Sequence, residues 1–307
     1  MDYLRDDWEK LNSTEEYEIM KKYATNVKLI TFVYLTFAFV GTIMFMLITL
    51  VPKLLNIVLP LNESRPIYLP YNAYYFVDKE KYYFYIMFHI IVCIQVVLIA
   101  AMAHDCMFLV YSEHICSLFA VVGFHLETVS RNDRNDAGDN RPNDQKIYDR
   151  KIAISVNAHW RALRLAEILE DISCIGFAMQ MLIMTVTMSI TLLQIALQIN
   201  ENRETLKYMI YISAQLLQTF CFSLQGQRLI DHSVQLRDKI YNSFWYEIPA
   251  ESRRLFLFVM RRSMQPCFLS AGKIYIFSLK TFSTVNVIYE IYSFEVSFKN
   301  TGMCMFL

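Results

Sequence analysis

Glycine and proline are scarce, with seven of each in 307 residues. That excludes the turn-dense all-β architectures, whose many short strands need Gly and Pro between them. Charge is thin as well. Asp, Glu, Lys and Arg make up 19% of the chain, they balance to zero, and no large basic block occurs. Nucleic acid is therefore not an expected partner, because its phosphates are bound by clustered cations. The seven cysteines, at 93, 106, 116, 174, 221, 267 and 304, form no C-x-x-C pair. A disulfide framework is not expected, and Cys93 and Cys221 read as small packing residues. The six histidines, at 89, 104, 114, 125, 159 and 232, are scattered. Without H-E-x-x-H, G-x-S-x-G, a Walker loop or G-x-G-x-x-G, the reading is no enzyme, no metal and no cofactor. Residues 1–26 are acidic and lack the short apolar core of a cleavable signal peptide. The first apolar run must then serve as the membrane-targeting signal.

What the chain has is apolar length. Residues of the AVILMFWYC set reach 55%, and mean hydropathy is +0.28. A helix needs about 20 apolar residues to cross about 30 Å of hydrocarbon. Five runs meet or approach that, at 29–51, 82–104, 172–197, 208–227 and 274–294. The first is expected to end at Pro52-Lys53. The second continues past Asp105 toward Leu126 as one long helix. Asp105 belongs at the inner boundary, since a carboxylate in lipid costs about 2.5–3.5 kcal/mol. The fifth run carries Lys280, Glu290 and Glu295 and needs shielding by neighbours or a wet pore. The fold class is all-α: a polytopic transmembrane helical bundle with long cytoplasmic helix extensions and membrane lipid as a partner.

Organisation follows from this. Residues 1–28 form a cytoplasmic segment whose apolar residues recur at helical spacing. Residues 29–227 hold four spans, interrupted by a polar cytoplasmic loop at about 130–150, and 228–307 hold inner-face helices and the last span. Lys and Arg number twenty-one in segments that are inside if the N-terminus is cytoplasmic, against seven in the opposite segments. Positive charge collects inside, so the N-terminus is expected in the cytoplasm and the C-terminus outside. Asn62 of the sequon Asn62-Glu63-Ser64 is then open to glycosylation, whereas Asn12 is not. Thr187, Thr191, Gln194 and Gln198 fall on one helical face, with Gln215 and Gln218 on the next run. These glutamines could line a polar route, but hydrogen bonding between helices is the favoured reading. Arg253, Arg254, Arg261 and Arg262 read as a positive inner surface.

The stretch from Tyr211 to Phe282 is similar to the C-terminal part of insect odorant receptors. The resemblance rests on order and spacing. Gln225-Gly226-Gln227 comes first, then Ser233 and Arg237, then Phe244-Trp245-Tyr246. Arg261-Arg262-Ser263 and Pro266 follow, and then Ala271-Gly272-Lys273 with Ser278, Leu279, Thr281 and Phe282. His159, Leu163, Ala166 and Glu167 resemble the entry to that family's fifth span. The resemblance covers spans three to seven of a seven-span plan and implies an N-terminally short member. The continuation after about Val285 departs from the family pattern.

The resemblance implies a plasma-membrane, odorant-gated cation channel subunit, assembled with a shared co-receptor as a hetero-tetramer and acting in olfaction. It implies a pocket for a small apolar odorant near the outer face, with Thr42, Phe45 and Met46 from the first run. Phe84 and Phe88 come from the second, and Tyr208, Tyr211 and Gln215 from the fourth. Ordinary helix packing is the alternative role for each of these eight. A pore lined by the last span puts Thr281, Phe282 and Val285 at the channel axis, and the arginine group becomes a cytoplasmic anchor where subunits meet. The 307 residues by themselves are expected to carry no odorant-gated current. The rival readings are a gustatory receptor, or a membrane transporter or enzyme. Only Thr281-Phe282 matches the first in part, and no intramembrane carboxylate pair or broken helix favours the second.

Overall fold

The computed structural model describes residues 2–9, 11, 13–58, 74–78, 81–132, 142–197, 202–246, 248 and 250–285. Along the chain run α1 (Asp2–Glu9), α2 (Thr14–Val58), α3 (Tyr83–Asn132), α4 (Pro142–Leu197), α5 (Asn202–Tyr241) and α6 (Ala250–Arg262). A two-stranded antiparallel hairpin follows, β1 (Ser270–Ala271) and β2 (Tyr275–Ile276), then a short helix α7 over 279–285. The all-α class holds, since the hairpin strands have only two residues each.

The helices are longer than the apolar runs within them. At 45, 50 and 56 residues, α2, α3 and α4 far exceed the roughly 20 residues that cross a bilayer. Three stretches, Thr14–Leu47, Tyr83–Val129 and Asp149–Ile195, are long and apolar enough to do so. They coincide with the first three expected runs. The fourth run lies inside α5, which is less apolar. Burial in these helices is reversed relative to a water-soluble bundle. Phe32, Val40 and Ile43 of α2, Val96 and Val97 of α3, and Ile172, Ile175 and Leu182 of α4 all lie exposed. Rows of outward apolar side chains beside buried Asp105, Glu113 and Thr191 fit hydrocarbon as the surrounding medium.

The structure departs from the sequence reading in four places. The N-terminal segment is not one helix: α1 stops at Glu9, and α2 starts afresh at Thr14 and runs without a break into the first span. The restart is N-capped by Ser13, whose hydroxyl accepts the Glu16 amide hydrogen at 3.1 Å. Glu15 sits in that first turn, where its own backbone amide and Ser13 hold its carboxyl below the usual range. Second, α2 passes through Pro52 to Val58. Proline removes one amide donor, and the helix continues past that gap. Third, the polar stretch expected as a loop at 130–150 is helical from Pro142 onward. Pro at the first helical position gives up only an amide that would have no helical partner. Asp149 then accepts a hydrogen bond from Ser252 at 2.5 Å, tying this part of α4 to α6. Fourth, the last run does not begin as a helix at 274, because the hairpin occupies 270–276. Gly272 and Lys273 take φ of 62° and 58°, a left-handed pair that a helix excludes. The Ser278 hydroxyl then caps α7 by accepting the Thr281 amide hydrogen at 3.1 Å.

Two compact units can be distinguished. Unit 1 comprises Met1–Leu29, Phe108–Thr185 and Thr219–Ile291, and unit 2 comprises Ile30–Met107, Val186–Gln218 and Tyr292–Leu307. Unit 1 is built on an aromatic core. The rings of Phe108, Phe177, Phe222 and Phe277, each at most 3% exposed, pack mostly edge-on at centroid distances of 4.6–5.9 Å. That geometry aligns ring edges with ring faces and adds to the gain from area burial.

Candidate functional site

The family-like stretch acquires a physical reason at nearly every position within unit 1. At Gly226 of α5, a Cβ would stand 2.2 Å from the Phe277 carbonyl oxygen. Only glycine lets α5 and the Phe277 backbone approach so closely. The Phe277 amide in turn donates to the Leu269 carbonyl at 3.0 Å, closing the hairpin. Ala271-Gly272-Lys273 is the hairpin turn, and its Gly272 amide donates to the Cys174 carbonyl of α4 at 3.0 Å. The Ser270 hydroxyl donates to Glu170 of α4 at 2.8 Å. The Ser233 hydroxyl accepts from the Cys267 amide at 3.1 Å and donates to the Ile230 carbonyl at 2.8 Å. Burial, the largest cause, pushes the Cys267 thiol up to about 11, so it is neutral and unreactive at pH 7. The Arg253 guanidinium donates to the carbonyls of Tyr246 and Ile248 at 2.7 and 3.0 Å, while Arg254 and Arg261 lie exposed. The segment that enters the last run is therefore held on α4 and α5 by backbone and hydroxyl bonds.

Buried charge in unit 1 is paired. Glu113 of α3, 1% exposed, accepts from Arg228 and, at 2.7 Å, from the Gln225 side-chain amide of α5. This explains Gln225 and Arg228 on either side of the family-like glycine. In unit 2 the buried acid Asp105, also 1% exposed, is met by neutral donors. Its Oδ2 accepts from Tyr34 of α2 at 2.6 Å and from Gln218 of α5 at 2.7 Å, and His104 lies 3.5 Å from Oδ1. The sequence placed Asp105 at a membrane boundary; the structure shields it with a tyrosine and a glutamine. Tyr34 carried no signal in the sequence, being one aromatic in an apolar run.

Among the eight expected pocket residues, all in unit 2, Met46 and Gln215 are buried, and Thr42, Phe45 and Tyr208 are half-buried. Phe84, Phe88 and Tyr211 are 54%, 69% and 43% exposed. Gln215 donates to the Thr187 hydroxyl at 2.8 Å, and Thr42 donates to the Ala38 carbonyl of its own helix at 2.8 Å. The bonds of Gln215 and Gln218 are the interhelical links expected of those glutamines. Of the pore candidates, Thr281, Phe282 and Val285 are half-buried on α7, and the Phe282 ring packs on Phe220 at 5.5 Å. Asn62 and Gln198 lie outside the described residues.

Over-long helices with apolar exteriors mark a polytopic α-helical membrane protein. The family model described as 7tm Odorant receptor matches residues 2–289. The chain belongs to that family and is a multi-pass membrane protein. It is 28% identical over 135 residues to the odorant receptor coreceptor of Harpegnathos saltator, a match covering 42% of this chain and 27% of that protein. It is 32% identical over 87 residues to odorant receptor 49a of Drosophila melanogaster, covering 28% of this chain and 22% of that one. The matched stretches thus span about a quarter of these curated relatives. In fold it is similar to the insect olfactory receptor OR5 of Machilis hrabei solved in complex with eugenol. There the TM-score is 0.72 at 17% identity, over 91% of this chain and 69% of OR5.

Proposed function

We propose that the chain serves as an odorant receptor subunit: a small apolar molecule binds among the helices of unit 2, and a cation channel opens through the last span. Membership of the family over residues 2–289 is the observation that carries this reading. The likeness in fold to OR5, solved with eugenol, supports a small-molecule ligand. The kinship with coreceptors supports assembly with such a partner in a hetero-tetramer in the plasma membrane. Met46 and Gln215, which are buried, and Thr42, Phe45 and Tyr208, which are half-buried, are the favoured pocket lining, since small-molecule sites are mostly apolar with few polar groups. Phe84, Phe88 and Tyr211 take the more peripheral role. Thr281, Phe282 and Val285 line the pore. A ligand opens the channel only by its higher affinity for the open state.

Two experiments test the proposal. With the N-terminus cytoplasmic, Asn62 carries a glycan: endoglycosidase treatment sharpens the band, and Asn62→Gln abolishes the shift. A shift that survives N62Q and disappears in N12Q reverses the orientation. For function, the chain is co-expressed with a coreceptor, both as it stands and with spans one and two of an odorant receptor fused ahead of residue 1. Volatile apolar compounds then evoke a cation current. Chains that reach the surface with the coreceptor yet stay silent to a broad panel in both forms contradict the proposal.

A further inference from the structure

Among the described residues, three side chains of the N-terminal segment meet histidines of α3 and α5 within unit 1. Asp7 of α1 places Oδ2 2.9 Å from Nε2 of His114 on α3, and its Oδ1 accepts from Arg161 of α4 at 2.7 Å. Glu16, in the first turn of α2, places Oε1 2.7 Å from Nε2 of His125 on α3. Tyr23, two turns on, has its hydroxyl 2.7 Å from Nε2 of His232 on α5. The first pair is deeply buried, with side chains 4% and 6% exposed, and the second is 11% and 22% exposed. None of these groups belongs to the pocket or pore.

Hydrogen-bond chemistry fixes what each ring does. An ionised carboxylate only accepts, so Nε2 carries the proton in the rings of His114 and His125. A second proton, on Nδ1, converts each contact into a charge-assisted ion pair without moving an atom. At His232 the assignment is reversed. Nδ1 lies 2.8 Å from the Arg228 carbonyl and must donate to it, which leaves Nε2 as the acceptor of the Tyr23 hydroxyl. A proton there reverses the bond, with Nε2 donating to the Tyr23 oxygen. Burial, and after it the charges of Arg228 and Lys239, disfavour the imidazolium, against the pull of the Arg228 carbonyl and Glu113.

We propose that α1 and the first turn of α2 form a proton-responsive strap: mild acidification tightens it on α3 through Asp7–His114 and Glu16–His125. Asp7, with Arg161 behind it, faces His114, Glu16 faces His125, and Arg228, Glu113 and Lys239 act on His232. Imidazole is the side chain that ordinarily changes charge between pH 5 and 8, which sets the range to be tested. It does not depend on the receptor reading.

The test is hydrogen exchange followed by mass spectrometry on the full chain in lipid nanodiscs. Rates are compared at about pH 8 and about pH 6, the range in which imidazole titrates, and corrected for intrinsic exchange. Protection of residues 2–16 is expected to rise about fivefold at the lower pH, as neutral hydrogen bonds become charge-assisted. In H114Q/H125Q the glutamine amides still donate but cannot gain charge, so the segment stays docked and its protection becomes flat with pH. A wild-type ratio of one overturns the proposal, and so does the same rise in the double variant. Should the double variant fail to fold, His125→Gln alone serves, because that ring is partly exposed. A reduced pH response supports the strap, and an unchanged one overturns it.

Discussion

Units 1 and 2 treat buried polarity differently. In unit 1 the buried acids meet cations or imidazoles: Glu113 lies on Arg228, Asp7 on Arg161 and His114, and Glu16 on His125. In unit 2 the buried acid Asp105 is met by Tyr34 and Gln218, with His104 at the longer distance of 3.5 Å. The exteriors are alike: unit 1 turns Ile172, Ile175 and Leu182 of α4 outward. The unit 2 segments of α2 and α3 turn Phe32, Val40, Val96 and Val97 outward, as a lipid-solvated surface requires. A paired charge is sensitive to loss of its partner, because the survivor is left buried and uncompensated. A carboxylate held by neutral donors loses only one hydrogen bond when one of them is removed. The two units should therefore break in different ways.

The largest effect is expected at the backbone contact of unit 1. Gly226→Ala puts a methyl where the Phe277 carbonyl oxygen lies 2.2 Å away, and the cost of about 3 kcal/mol or more shows as loss of monodisperse protein in detergent. Next comes the ion pair. Glu113→Ala strands Arg228 and costs about 3 kcal/mol. The double change E113L/R228M recovers much of that, and thermal unfolding of the single and double variants measures the coupling. A single variant as stable as the parent would erase the distinction between the units. In unit 2, Tyr34→Phe leaves Asp105 with the Gln218 donor and costs about 1–1.5 kcal/mol, read by the same melts.

Smaller still is a pH effect at His232. Its ring titrates below the ordinary imidazole value because of burial, so the unfolded chain takes up a proton that the folded chain refuses. Stability is complete above the ordinary imidazole range near pH 6.5 and declines as pH falls toward the folded value. Melting temperatures recorded downward from neutral pH should fall less steeply in His232→Gln than in the parent. The smallest effect is on the lipid face, where Val40→Leu should stay within about 0.5 kcal/mol.

The sequence made the helices legible because lipid demands long uncharged runs, and 82–126 reads as one helix despite Asp105. The glutamine face of the fourth run was also legible: Gln215 and Gln218 do bond between helices. The hairpin was not, because strands of two residues leave no alternating pattern, and Ala271-Gly272-Lys273 reads equally as a loop. The partners of Asp7, Glu113 and Asp105 were hidden too, since they lie on other elements and a lone Tyr34 or Arg228 does not announce its acid. In the pocket, residue type suggested Phe84, Phe88 and Met46 alike. Burial separates them, because an apolar side chain facing lipid looks the same in sequence as one facing a ligand.

The most direct test of the receptor account is a concentration–response curve for the current evoked with coreceptor, comparing the parent with Met46→Ala at matched surface levels. Met46 is the most deeply buried of the proposed apolar lining residues. The account predicts that the half-maximal concentration of the most effective volatile rises about tenfold, the equivalent of roughly 1.4 kcal/mol of lost packing, with maximal current retained. An unshifted curve, or a change confined to maximal current, would contradict a ligand site among the helices of unit 2.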